Sequence, residues 1–173
     1  MNARIRSGVA EPAVAANFYR PRSYSPNESI GYLMRRILST VAIEVGRELE
    51  PSGLTNAQWV PFLKLYMGAA TTVAELAREC ELDAGAMTRL LDRIEAKGLC
   101  RRVRSSDDRR VVNLELTPTG LEAAKQIPTV LCRVQNAHLA GFSKDEWIQL
   151  KGFLQRILDN ALAIQAAGKA EED

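Results

Sequence analysis

The positively charged side chains of this sequence are concentrated in one short segment. Between Arg89 and Arg110 the chain carries eight basic residues against four acidic ones, a local charge of +4, whereas all 173 residues together carry only +2. Guanidinium groups at this density can bind phosphate oxygens and the hydrogen-bond acceptors on base edges. The segment therefore predicts a nucleic-acid contact surface, with a solvated surface turn as the plain alternative.

Two short helices would carry part of this surface. Thr72 and Glu75 have the spacing of a capping box at the start of the first helix. Asp83 is a suitable N-cap for the second helix, and Gly98 supplies the left-handed residue that would end it. The tight spacing between the two helices is typical of a helix-turn-helix unit.

A two-stranded ribbon follows these helices. Apolar residues alternate with polar ones over 112–116, as they do in a half-buried strand, and 99–104 would be the partner strand. The polar turn 105–110 joins the two strands and ends in Arg109 and Arg110. Such a basic ribbon after a helix-turn-helix indicates a winged helix-turn-helix, with the second helix in the major groove and the ribbon tip in the minor groove. The residues predicted to contact DNA are Ala84, Gly85, Thr88, Arg89, Arg93, Arg104, Arg109 and Arg110.

Amphipathic helices flank this unit. Apolar residues recur at three- and four-residue steps from Ile30 to Leu49, and a heptad seam runs from Trp147 to Ile164. The seam could pack inside one subunit, but a monomer would then expose much apolar surface elsewhere. We therefore predict a homodimer.

The predicted fold is mainly α with a small two-stranded β-wing, a winged helix-turn-helix domain flanked by N- and C-terminal dimerisation helices. The predicted divisions are an extended arm (1–27), a dimerisation helix (28–54), the winged helix-turn-helix DNA-binding region (55–117), C-terminal dimerisation helices (118–167) and a polar tail (168–173).

Several functional classes are disfavoured by composition. The single histidine, His138, and the long spacings of Cys80, Cys100 and Cys132 offer no metal-ligand pattern, and no glycine-rich phosphate loop or nucleophile motif is present. We therefore expect no enzyme activity, metal or cofactor, and we expect His138 to be structural. No signal peptide and no apolar run of about 18 residues is found, so the expected location is the cytoplasm, with no membrane contact.

The central motifs resemble those of the MarR family of regulators. The similar residues run from Leu82-Asp83 through Lys97-Gly98-Leu99, then over Arg101-Arg102 and Asp107-Asp108-Arg109-Arg110, and they end with Leu114-Glu115-Leu116-Thr117-Pro118-Thr119-Gly120. The wing and the strand-to-helix junction together are far more specific than a helix-turn-helix alone. The likeness extends more weakly over 29–164 and leaves out the N-terminal arm.

The resemblance implies more than the residues do by themselves. It implies that Asp108 braces Arg110 in the wing and that Asp83 to Arg93 form the recognition helix. It also implies a dimer built from the first and last helices, pseudo-palindromic double-stranded DNA as the partner, repression, and release by a phenolic or aromatic carboxylate effector.

A mixture of aromatic and basic residues could hold such an effector. The candidates are Tyr24, Tyr32, Arg35, Arg36, Trp59 and Phe62, although core packing explains Trp59 and Phe62 equally well. Two alternative functions are a thiol-based redox regulator and a winged-helix protein-interaction module that does not bind DNA. The cysteines are expected to be buried small hydrophobic residues.

Overall fold

The structure of the protein is a computed structural model that describes residues 16–104 and 112–172. Helices dominate this part of the chain, and two strands form an antiparallel pair. In chain order the elements are α1 (Ile30–Leu49), α2 (Asn56–Tyr66), α3 (Val73–Glu79), α4 (Ala84–Ala96), β1 (Cys100–Arg104), β2 (Val112–Leu116), α5 (Pro118–His138) and α6 (Lys144–Glu172). The predicted mainly α fold with a small two-stranded β-wing is confirmed.

The chain divides into two compact units, and the first, described over residues 16–39, ends at Ser39. Where it is described, two short 3-10 turns, Pro21–Ser23 and Pro26–Glu28, precede α1. Ser29 begins the helix, because its hydroxyl oxygen accepts a hydrogen bond from the amide of Tyr32 at 3.2 Å. The amide of Ile30 donates to the hydroxyl of Tyr19 at 2.9 Å. Residues 16–27 of the predicted arm (1–27) therefore contain one 3-10 turn and the start of a second, whereas residues 1–15 lie outside the described residues.

The second unit begins at Thr40 and, over its described residues 40–104 and 112–172, holds the hydrophobic core. Its largest fully buried side chains include Phe62 of α2, Leu76 of α3, Met87 and Ile94 of α4, and Ile127 of α5. Burial of one such side chain stabilises the fold by about 1.5–3 kcal/mol. One shared core therefore fixes α4 against α2 and α3, and α5 packs against α2 in the same core.

The ends of α3 and α4 that the sequence predicts are found in the structure. The amide of Glu75 donates to the Thr72 hydroxyl at 3.2 Å while its carboxylate accepts from the Thr72 amide at 3.1 Å, which confirms the capping box. Asp83 accepts from the amide of Ala86 at 2.8 Å. Gly98 takes the left-handed conformation with φ of 69° at the end of α4.

The two strands of the wing pair from Cys100↔Leu116 to Arg104↔Val112. The amide of Leu114 also donates to the carbonyl of Thr71 at 2.7 Å, so the segment before α3 adds a short third edge to the ribbon. This contact ties the wing to the helix-turn-helix.

The helix α6 extends from Lys144 to Glu172 and so continues through the segment from 168 that the sequence marks as a polar tail. In the part of the chain that the structure describes, no helix combines the length and apolar character needed to cross a membrane.

Candidate nucleic-acid interface

The helix α4 has one buried face and one open face. Met87, Leu90, Leu91 and Ile94 are buried in the core. The opposite face is exposed, and it carries all the α4 residues predicted to contact DNA, which are Ala84, Gly85, Thr88, Arg89 and Arg93. The helix therefore offers small residues at its N-terminal end and guanidinium groups along its length, as insertion into a major groove requires.

The first turn of α4 is ordered by local hydrogen bonds. The hydroxyl of Thr88 donates to the carbonyl of Ala84 at 2.8 Å, which leaves the oxygen lone pairs of Thr88 on the open face. A Cβ at Gly85 would lie 3.2 Å from Oδ1 of Asp83 and 3.4 Å from a terminal nitrogen of Arg89. Glycine at this position therefore leaves room for both the N-cap carboxylate and the Arg89 guanidinium.

The turn between α3 and α4 depends on an uncommon backbone conformation. Glu81 has a φ of 54°, the left-handed region that usually holds glycine. Around it, the amide of Leu82 donates to the carbonyl of Ala77 at 2.9 Å and the amide of Glu81 to that of Arg78 at 3.2 Å. These two bonds are the Schellman motif that ends α3 and starts the turn. Sequence analysis missed this role, because glutamate gives no signal for it.

Arg102 of β1 connects the wing to α4. Its guanidinium donates to Oδ1 of Asp92 at 2.7 Å and to Oε2 of Glu95 at 2.6 Å, while its backbone amide donates to Oε1 of Glu95 at 3.0 Å. Burial by itself would lower the pKa of Arg102, but the hydrogen bonds and charges of Asp92 and Glu95 raise it above its ordinary value. The contact fixes the strand against the helix at two points along α4.

The other two arginines of β1, Arg101 and Arg104, differ from Arg102 in their surroundings. Arg101 pairs with Glu115 of the neighbouring strand at 2.7 Å on the ribbon surface. Arg104 is exposed at the last position of β1, next to the ribbon tip. The predicted contacts Arg109 and Arg110 and the predicted brace Asp108 lie outside the described residues, so their roles stay predictions.

The six residues predicted to hold an effector are divided between the two units. In the first unit, Tyr24, Tyr32 and Arg35 line an open pocket of about 360 Å³, and the Arg35 guanidinium lies 5.7 Å from the centre of the Tyr32 ring. Arg36 is exposed on the same helix.

In the second unit, Phe62 is 1% exposed within the core. Trp59 packs partly buried against that core, and its Nε1 donates to Oδ1 of Asn56 at 3.3 Å.

The cysteines have different environments. Burial raises the pKa of the Cys100 thiol to about 11, and burial likewise raises the pKa of Cys80. Both thiols are therefore poorly ionised at neutral pH. Cys132, which we expected to be buried, is exposed on α5.

His138 makes structural contacts. Its Nδ1 lies 2.8 Å from the carbonyl oxygen of Val134, one turn back in α5, and its Nε2 lies 3.8 Å from Glu44. Among residues 16–104 and 112–172, no group of three or more potential metal-binding side chains is found.

Comparison with known proteins agrees with this geometry. The model of the MarR family matches residues 54–112, from two residues before α2 to the first residue of β2. The solved structure of the transcriptional regulator PA3341 is 30% identical, covers 78% of this chain and 99% of that chain, and has a TM-score of 0.68.

Two further solved structures contain DNA. A MarR variant from E. coli in complex with operator DNA is 27% identical, with a TM-score of 0.67 over 76% of this chain and 96% of that chain. The MepR–DNA complex from S. aureus is 23% identical, with a TM-score of 0.69 over 77% of this chain and 98% of that chain. At that identity, the likeness to MepR shows the fold alone.

Proposed function

Because this chain belongs to the MarR family, whose members are transcription regulators rather than enzymes, we propose that it represses transcription as a homodimer on a pseudo-palindromic operator. The observation that carries the proposal is the open face of α4, with Arg89 and Arg93 exposed beside a basic ribbon. In this proposal α4 enters the major groove, and the ribbon tip with Arg109 and Arg110 enters the adjacent minor groove.

The homodimer is supported by the surface of α6. Large apolar side chains of this helix, from Trp147 at 38% to Ile164 at 73%, are exposed in the single chain. Only Leu150 is less than exposed among the side chains described in α6. An apolar surface of this extent favours a second protein surface over water. A second copy is the occupant we propose, because two-fold symmetry would present two α4 helices to two operator half-sites.

The proposed effector is a small aromatic carboxylate. The pocket in the first unit offers two aromatic rings, Tyr24 and Tyr32, and one guanidinium, Arg35, which could receive a carboxylate in a bidentate manner. Calorimetric titration with benzoate- and cinnamate-type acids would test this part, and an absence of heat with every acid would remove its support. The redox alternative is weakened by the raised pKa values of Cys80 and Cys100.

The DNA-binding proposal can be tested on the DNA that flanks the protein's own gene. Fluorescence anisotropy would measure binding to this DNA and to a scrambled duplex of equal length, each at several salt concentrations. We expect preference for the flanking DNA and an affinity that falls steeply with salt, since counterions are released when arginines contact phosphates. A protein-interaction module would bind neither duplex.

A further inference from the structure

Lys97 occupies the C-terminal end of α4 and reaches across to the segment that joins α1 and α2. Its Nζ donates to the carbonyl of Gly53 at 2.7 Å and to Oε1 of Gln58 at 2.9 Å. We define residues 50–55 as the α1–α2 connection. The two hydrogen bonds therefore link the end of α4 to this connection and to the first turn of α2.

The acceptors of Lys97 are themselves held in place. Gln58 is 2% exposed, and the same Oε1 accepts from the amide of Thr55 at 3.1 Å as part of the capping box that starts α2. Gly53 has a φ of 78°, and its amide donates to the carbonyl of Glu50 at 2.9 Å, which closes the turn after α1. One ammonium group thus contacts the end of one helix, the start of the next, and α4.

Packed core side chains, among them Leu54 at 1% and Leu99 at 4% exposed, hold this corner of the molecule together with the two hydrogen bonds of Lys97. An open cavity of about 560 Å³ lies beside Lys97, with Pro51, Ser52, Leu54 and Leu99 among its lining residues. On the open side of the cavity, few neighbouring atoms could replace the two hydrogen bonds of Lys97 if they were lost.

The partners of Lys97 also distinguish it from other lysines. Lys64 and Lys125 pair with the carboxylates of Glu79 and Glu122. Lys97 donates to neutral oxygens, and in the described part of the chain no carboxylate oxygen lies within 4.0 Å of its Nζ. Its role here is therefore to donate hydrogen bonds rather than to neutralise an acid.

We propose that Lys97 is a positioning residue for operator binding, which couples the position of the α1–α2 connection to the orientation of α4 without contacting DNA. This inference rests on the proposed DNA-binding function. The wing holds α4 through Arg102, and Lys97 holds its C-terminal end. Val45 and Leu49 bury the last turns of α1 in the same core, so a displacement of α1 would move Gly53 and, through Lys97, the end of α4.

The first experiment compares operator affinities of matched lysine variants. Lys97→Met removes the donor and keeps the aliphatic stem, whereas Lys125→Met removes the same charge from an exposed helical pair. We expect Lys97→Met to bind operator DNA about tenfold more weakly, a loss of roughly 1.4 kcal/mol. Lys125→Met should bind like the wild type, and Lys97→Arg should regain most of the lost affinity.

The salt dependence of operator affinity distinguishes a positioning role of Lys97 from a direct contact with DNA phosphates. If Lys97 acts through α4, the slope of log affinity against log salt stays at the wild-type value in Lys97→Met. A slope reduced by about 0.9 would identify a phosphate contact and overturn the proposal. Wild-type operator affinity in Lys97→Met would overturn it equally.

The second experiment needs no DNA, so it distinguishes failure of this inference from failure of the proposed function. Amide hydrogen exchange of the free protein should accelerate in Lys97→Met over 53–55 and 95–99, while the core of α5 keeps its protection. Unchanged exchange in both segments would show that Lys97 does not hold the corner. If the wild type bound no DNA at all, the role of Lys97 in operator binding would be refuted. Accelerated exchange in Lys97→Met would still show that Lys97 links the helices.

Discussion

Gly120 in the first turn of α5 lies directly against the backbone of Leu99, the residue before β1. A Cβ at position 120 would overlap the carbonyl oxygen of Leu99 and lie 2.8 Å from its carbonyl carbon. Thr117 completes the contact, because its amide donates to the same carbonyl at 3.1 Å and its hydroxyl donates to the carbonyl of Gly98 at 2.6 Å. The end of the wing and the start of α5 are thereby fixed to the end of α4.

Replacement of Gly120 by alanine should destabilise the protein strongly. The overlap involves backbone on both sides, so no side chain can move away, and we expect a loss of about 3 kcal/mol in the free energy of unfolding. Urea denaturation followed by circular dichroism would measure it. The matched control is Gly152→Ala in α6, where no atom lies within 4 Å of an added Cβ and alanine should be neutral or stabilising. Equal stabilities of the two variants would contradict the assignment.

This junction shows why much of the fold could be predicted from the sequence. Thr72, Asp83 and Gly98 act through local rules, because a cap or a left-handed residue needs only its own neighbours in the chain. Glu81 breaks such a rule. Its left-handed conformation belongs to the Schellman motif that ends α3, and glutamate does not signal this conformation because glycine usually adopts it.

In the candidate site, too, some features could be predicted from local sequence patterns and others could not. The open face of α4 follows from helical periodicity, so its exposed residues were predicted correctly as a surface. The partners of Arg102 are seven and ten residues away, and those of Lys97 are 39 and 44 residues away. Such contacts arise only when the whole domain packs, and no spacing in the sequence indicates them.

Replacement of Arg102 should show whether operator affinity depends on the position of the wing or only on its positive charge. In Arg102→Met the strand loses its hydrogen bonds to Asp92 and Glu95, so we expect about 1 kcal/mol lower stability, as for a partly exposed network. Operator affinity should fall as well, because the wing is no longer fixed against α4. Arg101→Met is the control, since it removes the same charge from an exposed pair with Glu115. Similar affinities in both variants would mean that charge alone matters.

The capping box of α3 should contribute to the acid sensitivity of the protein. The backbone and hydroxyl hydrogen bonds from Thr71, followed by those from Thr72, hold the pKa of Glu75 below its ordinary value of 4.5. A group with a lowered pKa in the folded state stabilises the fold above pH 4.5, and this contribution is lost as the pH falls through the folded-state pKa.

Glu75→Gln should therefore show a shallower loss of stability below pH 4.5 than the wild type. Glutamine can still occupy a capping box, so the variant removes the titration while keeping the local geometry. Urea denaturation midpoints at a series of acidic pH values would give both curves. Parallel curves through the acidic range would show that Glu75 does not contribute.

A charge in the apolar surface of α6 should dissociate the proposed dimer. Leu154 is 41% exposed in the single chain and lies on the heptad seam, so Leu154→Glu would bury an unpaired carboxylate in the interface. We expect a monomer by light scattering at micromolar concentration, with weaker operator binding because the half-sites are no longer joined. Gln149→Glu, on an already polar position of the same helix, should remain dimeric. A dimeric Leu154→Glu variant would place the interface elsewhere.

Arg89 offers the most direct test of the recognition helix. It is exposed on the open face of α4, one turn after the small residues that permit close approach, and its removal takes nothing from the core. If it contacts a base, Arg89→Ala should cost about 1–3 kcal/mol for the preferred operator and much less for scrambled DNA. If it contacts only phosphate, both affinities should fall together and the salt slope should decrease by about 0.9. Anisotropy titrations on the two duplexes distinguish these results, and unchanged binding to both would remove Arg89 from the interface.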